Sequence, residues 1–495
     1  MTNNPINKYF WGIGLENETY FQMEEWLIVD GQFIREEMGR ERYSINYLNC
    51  YKEGTLDILL AAAFDSEKKY RVSRMINSHS LDKMDVHYEH KTLLSKTPNL
   101  ENPDYSGKSI LETFLEQQPH AIQSLLTQKN NPNGPIIFDG DTIEFVTKYF
   151  ENRTVEDTVR ELQATKKVFL DKLNESKVIP GHLHFTDYNV GINMFMTNQK
   201  NLVLFNNGTF HFHFTLPTLT SDSRIVDHGK FDKVHGNAIY LLQWFEPLFI
   251  STLGSPDIMG VISKKHGLQD QFACGSMRNA MSRYTGVGTY HESMAKGKIL
   301  THPVEDFRKI LKFDKEDNIW WRDQIENALS YELLTDLGLD FNREKLYQSG
   351  FEFRSFDEFP ASHLAAVLHA IVLISEHALQ FDAVPWCTDN VTWNNIVFRA
   401  LKDGHQTTIS VEEQKELLEI FRLNHLTSKA SGDQKLDAFF FGILEDLHHQ
   451  YQDQNQIMDS LLGHRAEAAP HWDNFNQYQV EQHLLQLTAI ADESH

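Results

Sequence analysis

The chain has 495 residues, 41% of them hydrophobic and 12% aromatic, with 14 prolines; such a composition buries enough apolar surface to offset ordering entropy, which excludes a disordered chain. Its formal net charge of −23 at pH 7 excludes a nucleic-acid backbone or an anionic membrane surface as the main partner, and leaves open a local cationic site for one nucleotide. Cys50, Cys274 and Cys387 lie far apart with no CxxC pair, which argues against a disulfide framework or a zinc ribbon and fits a reducing, cytoplasmic setting.

The opening segment MTNNPINKYFWGIG has no basic leader followed by an apolar run, so it does not read as a signal peptide. Ile13 to Phe21 alternates as a strand does, and the period of two sends Glu16 and Glu18 to one face. Carboxylates so spaced can each offer oxygen ligands to magnesium or manganese; taken alone, they fit a solvated edge strand better. Gly12-x-Gly14 lacks the third glycine of a dinucleotide fingerprint, because Asn17 occupies that position. Arg42 to Lys52 reads as a second strand, Leu56 to Phe64 as an apolar run, and Asn99 to Gly107 as turn-rich. Gly107-Lys108-Ser109 resembles the end of a P-loop, but Asn102 stands where its leading glycine would be.

Ile136 to Thr147 predicts a turn at Asp139-Gly140 leading into a strand that carries Glu144 between apolar neighbours. An acid in such surroundings needs a cation or a donor. A helix follows over Thr154 to Leu173. His182 to Met196 and Leu202 to Leu216, separated by a polar loop, read as a hairpin whose strands each carry alternating histidines, His182 with His184 and His211 with His213. Phe210, Phe212 and Phe214 fall on the face opposite His211 and His213. The His211/His213 pair can bring imidazoles to a metal or hydrogen-bond a phosphate or carboxylate, and is equally a polar-out, aromatic-in strand with no further role; His182 and His184 compete for the same role.

His235 to Leu253 predicts a helix, and Arg278 to Gly288 runs into a glycine-rich loop. Phe351 to Phe356 predicts a strand with Glu352 and Arg354 on one face, where a ligating carboxylate would sit beside a guanidinium able to neutralise phosphate oxygens; a cross-strand ion pair is the plainer alternative. Leu364 to Leu379, interrupted by His369, Glu376 and His377, is too short to span a bilayer and reads as a buried helix. Beyond about residue 405 the chain is helix-like and rich in Gln, Asp and His.

This order of motifs, E-x-E, then I-E-F-V-T before a helix, then an H-x-H strand before another helix, then E-F-R, resembles the glutamine synthetase-like carboxylate-amine ligases, in particular amidoligases and more distantly glutamate-cysteine ligases, over about residues 10 to 360. The resemblance implies an α+β fold: a curved antiparallel sheet with flanking helices over residues 1–404, and a helical C-terminal region over 405–495. It implies ATP and Mg2+ or Mn2+ as cofactors, with Glu16, Glu18, Glu144, His211, His213 and Glu352 as metal ligands. His211 and His213 are preferred to His182 and His184 because they match the family's H-x-H strand; His213 and Arg354 would face the nucleotide, and Arg354 would be catalytic, facing the transferred phosphoryl group.

The implied activity joins a small-molecule or peptide carboxylate to an amine through an acyl phosphate, with no nucleic-acid or membrane partner and with room for a homo-oligomer. A guanidino kinase of related fold and a non-catalytic binding or structural protein are the alternatives. Asp141 stands where the family often has a further glutamate, nothing matches the residues that bind adenine or the amino substrate, and the tail beyond 405 lies outside the resemblance.

Overall fold

Trp11, Ile13 and Leu15 alternate with Gly12, Gly14 and Glu16 in the segment Phe10–Thr19, which forms strand β1. The computed structural model describes residues 10–19, 21–23, 74–76, 120–126, 134–139, 142–148, 155–176, 183–185, 192–193, 208–219, 227–254, 276, 341–344, 349–387 and 389–451. Further along come β2 (Phe21–Met23), β3 (Arg74–Ile76), β4 (Ile136–Asp139), β5 (Thr142–Val146) and helix α1 (Val155–Ser176). They are followed by β6 (Leu183–Phe185), β7 (Ile192–Asn193), β8 (Thr209–Leu219), helix α2 (His228–Leu253), β9 (Phe341–Glu344) and β10 (Ser349–Asp357). The predicted segments at 42–52, 56–64, 99–107 and 278–288 lie outside the described residues.

Six strands form one sheet in the order β4-β5-β1-β8-β10-β9, with every neighbouring pair antiparallel. One face is apolar, with Leu15, Phe145, Phe210, Phe212, Phe214, Phe351 and Phe353 all buried. Helices α1 and α2 cover it: Phe169 of α1 meets Phe145 edge to face at 5.7 Å, and Phe249 of α2 meets Phe353 at 6.0 Å and Phe356 at 5.2 Å. The mixture of helices with an antiparallel sheet is the class expected.

The predicted hairpin does not form. β6 pairs with β2 in a second sheet of order β6-β2-β3-β7, whereas β8 lies between β1 and β10. A local hairpin would close a shorter loop, but it would leave one edge of β8 unpaired; in the sheet interior both edges of this Phe- and His-bearing strand are hydrogen-bonded and its aromatic face is buried.

Helix α2 is buried almost all round, which its apolar composition requires. Asp227 caps its first turn by accepting from the Lys230 amide at 3.0 Å. Pro247 inside it has no N–H to offer the carbonyl of Gln243 four residues earlier. Helix α4 (Val391–Asp403), which follows α3 (Leu364–Ala378), supplies the missing donor: the indole of buried Trp393 gives its N–H to that carbonyl at 3.1 Å. Trp393→Phe should therefore cost about 1–3 kcal/mol, the penalty for a buried carbonyl left unpaired. In a Pro247→Ala background the restored amide should remove most of that cost; denaturant midpoints of the four proteins of the cycle check this, and purely additive effects would refute it.

Helices α5 (Val411–Ile420) and α6 (Leu436–Gln450) complete the described chain. Ser410 and Glu413 form a capping box at the start of α5, and Arg399 of α4 grips Glu413 at 2.9 and 2.8 Å. Ile396 and Val397 before residue 404, and Leu417, Phe440 and Leu444 after it, bury in the same apolar cluster as α2 and α3. The segment Ala361–Ala378 is long and apolar enough to cross a membrane, yet 72% of it is buried inside the protein. It is a core helix.

His377 on α3 is a buried cross-link. Its Nε2 lies 2.7 Å from the Phe421 carbonyl and its Nδ1 lies 3.1 Å from the Tyr451 hydroxyl, so the neutral ring donates to the first and accepts from the second. Burial pushes His377 below its ordinary value of 6.5. The unfolded chain then takes up a proton that the folded chain resists, so this group's contribution to stability is full above pH 6.5 and is lost as pH falls toward the lowered folded value. The slope approaches about 1.4 kcal/mol per pH unit where one whole proton separates the two states. Denaturation midpoints across that range should fall less steeply for His377→Gln; an unchanged slope would refute the assignment.

Candidate active site

The site is built on the sheet face opposite the helices. Pairing sets Glu16 of β1 opposite His211 of β8, and sets His213 of β8 opposite Gly14 on one side and Glu352 of β10 on the other. Residues paired across a sheet share a face, so acids far apart in sequence meet two imidazoles from one strand. His211 Nδ1 lies 3.1 Å from Glu16 Oε2 and 3.0 Å from Glu352 Oε1, and His213 Nε2 lies 2.9 Å from Glu16 Oε1. Arg354 donates from Nη1 to Glu352 Oε1 at 2.7 Å.

Glu18 borders this cluster. Its Oε2 accepts from the Thr209 hydroxyl at 3.3 Å and its Oε1 lies 3.8 Å from His211 Nε2, which is itself 3.0 Å from Thr209 Oγ1. Thr209 donates to Glu18, so it accepts from His211 Nε2–H; His211 Nδ1 faces only carboxylates in these contacts and must donate as well. Both ring nitrogens then carry protons. Glu144, buried on β5, pairs directly opposite Glu18. Two like charges in that position repel unless a cation intervenes.

Burial works against every charge here, and the contacts win. Glu16 is raised by burial, but the charge of His213 and hydrogen bonds from His211 and His213 hold it well below the usual carboxylate range. His211 is lowered by burial and by Arg354, yet Glu18, Glu16 and Glu352 together carry it above its ordinary value. Glu352 is raised by burial and by Glu16, but Arg354 and His211 bring it below the usual range. Arg354 is also raised, because the four glutamates outweigh its burial. The result is a buried, acid-rich centre in which carboxylates favoured in the ionised form face an imidazole favoured in the protonated form.

Of the sequence-predicted residues, Glu16, His211, His213, Glu352 and Arg354 form one contact cluster, Glu18 lies at its border, and Glu144 stands across from Glu18. The solvated edge strand is overturned: β1 is interior, and Glu16 on its polar face is buried. Glu352 and Arg354 pair within one strand, because both project from the same face of β10 two residues apart. The backbone of His184 lies in the second sheet, opposite Gln22, while His182 and Asp141 lie outside the described residues.

Sequence reasoning missed Thr209 and Asp357. Thr209 shares the parity of His211 and His213, so its place on the histidine face was readable. Asp357 was not. Simple alternation groups it with Phe351 and Phe353, but a bulge between Phe353 and Phe356 shifts the register, so that Phe356 stays with the core and Asp357 pairs with Thr209 on the histidine face.

Together these features define a protein of mixed helices and antiparallel sheet with a buried glutamate–histidine–arginine centre. The chain belongs to the family that includes "Uncharacterized protein R704" of Acanthamoeba polyphaga mimivirus, to which it is 34% identical over 498 aligned positions, covering 99% of this chain and 83% of that protein. No family model matches it. Among solved structures, a glutamate–cysteine ligase from Francisella tularensis in complex with AMP is similar at a TM-score of 0.33 and 10% sequence identity, over 99% of each chain.

Proposed function

We propose that this protein is an ATP- and divalent-metal-dependent carboxylate-amine ligase, acting in the cytoplasm on a small-molecule or peptide acid and amine. The observation that carries the reading is the meeting of Glu16, His213 and Glu352, whose ligand atoms lie within 4.8 Å of one another. Two carboxylates and an imidazole suit a divalent cation of intermediate softness, and the nitrogen donor favours manganese over magnesium. Glu18 and Glu144, opposed across β1 and β5 within the field of Arg354, supply a further pair of carboxylates beside this group.

A bound cation would neutralise the ATP phosphates and the charge that develops as the terminal phosphoryl group moves to the acid. The chain's own part is electrostatic and positional. Arg354, held by Glu352, would place its guanidinium charge toward the equatorial oxygens, and Glu16 and Glu352 would bring carboxylate oxygens to one point. No side chain is required as a covalent nucleophile, since the amine itself captures the acyl phosphate.

Purified protein with Mn2+ or Mg2+, incubated with ATP and mixtures of amino acids, polyamines and peptides, should release ADP and free phosphate together with a product whose mass is that of acid plus amine less water. A phosphorylated guanidino product without free phosphate would reassign the site to a kinase. No Mn2+ binding and no ADP would overturn the reading and leave a non-catalytic protein.

A further inference from the structure

On the reverse face of the sheet, behind Glu18, lies a second buried polar cluster that the proposed chemistry does not touch. Asn17 and Thr19 flank Glu18 on β1, are both 0% exposed, and project among the aromatic rings beneath α1. Glu358, 1% exposed and next after Asp357, accepts from the Thr19 hydroxyl at 2.6 Å and from Asn17 Nδ2 at 3.3 Å. Asn17 Nδ2 also lies 3.0 Å from the Thr209 carbonyl and 3.4 Å from that of Glu18. Lys166 of α1 donates to Asn17 Oδ1, lies 3.9 Å from Glu358 Oε1, and rests over the ring of Phe185 at 4.5 Å. The Glu358 amide donates to the Gly208 carbonyl at 2.8 Å.

A glutamate 1% exposed beside a lysine 13% exposed, among aromatic rings, is costly to place unless its oxygens are paired. What the pairing fixes is local: β1 at residues 17–19, β8 at Thr209, and the end of β10 at Asp357 meet at this cluster. Those three strand ends carry Glu18, Thr209 and Asp357 on the opposite face. Gly208 completes the fit, because a Cβ there would stand 2.0 Å from Glu358 Oε2 and 3.1 Å from the Glu18 carbonyl oxygen.

We infer that Glu358 is a positioning residue, acting with Lys166 through Asn17 and Thr19 to hold Glu18 and Thr209 in place from behind the sheet. The pair acts on the backbone that aims them, through Asn17 Nδ2 on the Thr209 and Glu18 carbonyls. The inference rests on the metal reading for one of its two readouts.

The first readout is Mn2+ binding by calorimetry, with folding confirmed by circular dichroism. Glu358→Ala should bind Mn2+ at least tenfold more weakly than the unaltered protein. Glu358→Gln keeps the oxygen that accepts from Thr19 and Asn17 and should stay within threefold; Glu358→Asp keeps the charge but withdraws the oxygen and should weaken binding as alanine does. Gly208→Ala, which displaces the carboxylate without removing it, should match Glu358→Ala. Wild-type affinity in Glu358→Ala and Gly208→Ala would overturn the inference, as would equal losses in the Gln and Asp variants, which would mark the position as merely structural. If Glu358→Ala does not fold, the comparison of Gln with Asp decides in the same way.

The second readout is independent of metal. Amide hydrogen exchange at residues 17–19 and 209 should quicken at least tenfold in Glu358→Asp while amides of α5 are unchanged. If the unaltered protein binds no Mn2+, the metal reading fails alone, and exchange decides: local quickening sustains the positioning role, and rates equal to wild type overturn it.

Discussion

Replacing Glu16 with glutamine is expected to reduce Mn2+ affinity by at least ~100-fold and to abolish metal-dependent ADP formation. Outer partners of metal ligands typically contribute about 10–100-fold in affinity, so a residue that is itself a ligand should reach the upper end. Glu16 is the common member of the cluster: its Oε2 meets His211 and its Oε1 meets His213. Glutamine keeps the size but removes the charge, and its amide nitrogen would face a ring nitrogen on one side or the other. The loss should also lower Glu352 further, because the Glu16 charge opposes the lowering by Arg354 and His211. Calorimetric titration with Mn2+, beside an ADP assay, reads both effects. Unchanged Mn2+ affinity in a folded Glu16→Gln protein would remove Glu16 from the metal site, and with it the proposed chemistry.

Arg354→Met is expected to produce two separable losses. Without the guanidinium, Glu352 and Glu16 confront each other with one fewer positive neighbour. Breaking a buried pair typically costs about 3–5 kcal/mol, and the 23% exposure of the Arg354 side chain points to the lower end. Turnover should fall on the order of 1,000-fold, the lower range for an arginine that stabilises phosphoryl-transfer charge. The two losses respond differently to added cation. Mn2+ at a hundred times its dissociation constant should return about 2.7 kcal/mol of stability, because a cation replaces the missing charge, but it should not restore turnover. Arg354→Lys should hold the stability and still lose turnover, since an ammonium cannot present the planar fork. Denaturation with and without Mn2+ separates these outcomes, and a stability loss untouched by Mn2+ would argue that no cation binds beside Glu352.

The largest elements were legible because their periodicities are strong. Helix α2 runs His228–Leu253 where His235 to Leu253 was expected, and α1 runs Val155–Ser176 against Thr154 to Leu173. The alternation in T-F-H-F-H-F separated a histidine face from a phenylalanine face, and burial of Phe210, Phe212 and Phe214 follows it. The hairpin partner of β8 was not legible, because adjacency in sequence favours a local pair while the choice of β1 and β10 depends on what the whole sheet buries. Asp357 was hidden for a related reason: one bulge reverses the parity on which face assignment rests.

Glu16 and Glu18 show where the two kinds of information divide. Residue type and a period of two determined, from sequence alone, that these carboxylates share a face, as they did for His211 with His213 and Glu352 with Arg354. Only the tertiary structure decided that β1 is interior rather than an edge, that the three faces are one face, and that Asn17, Thr19, Lys166 and Glu358 stand behind it. Alternation is a property of a single strand, set by backbone geometry. Which strands lie side by side is set by burial and pairing summed over residues hundreds of positions apart, and no local pattern carries that sum.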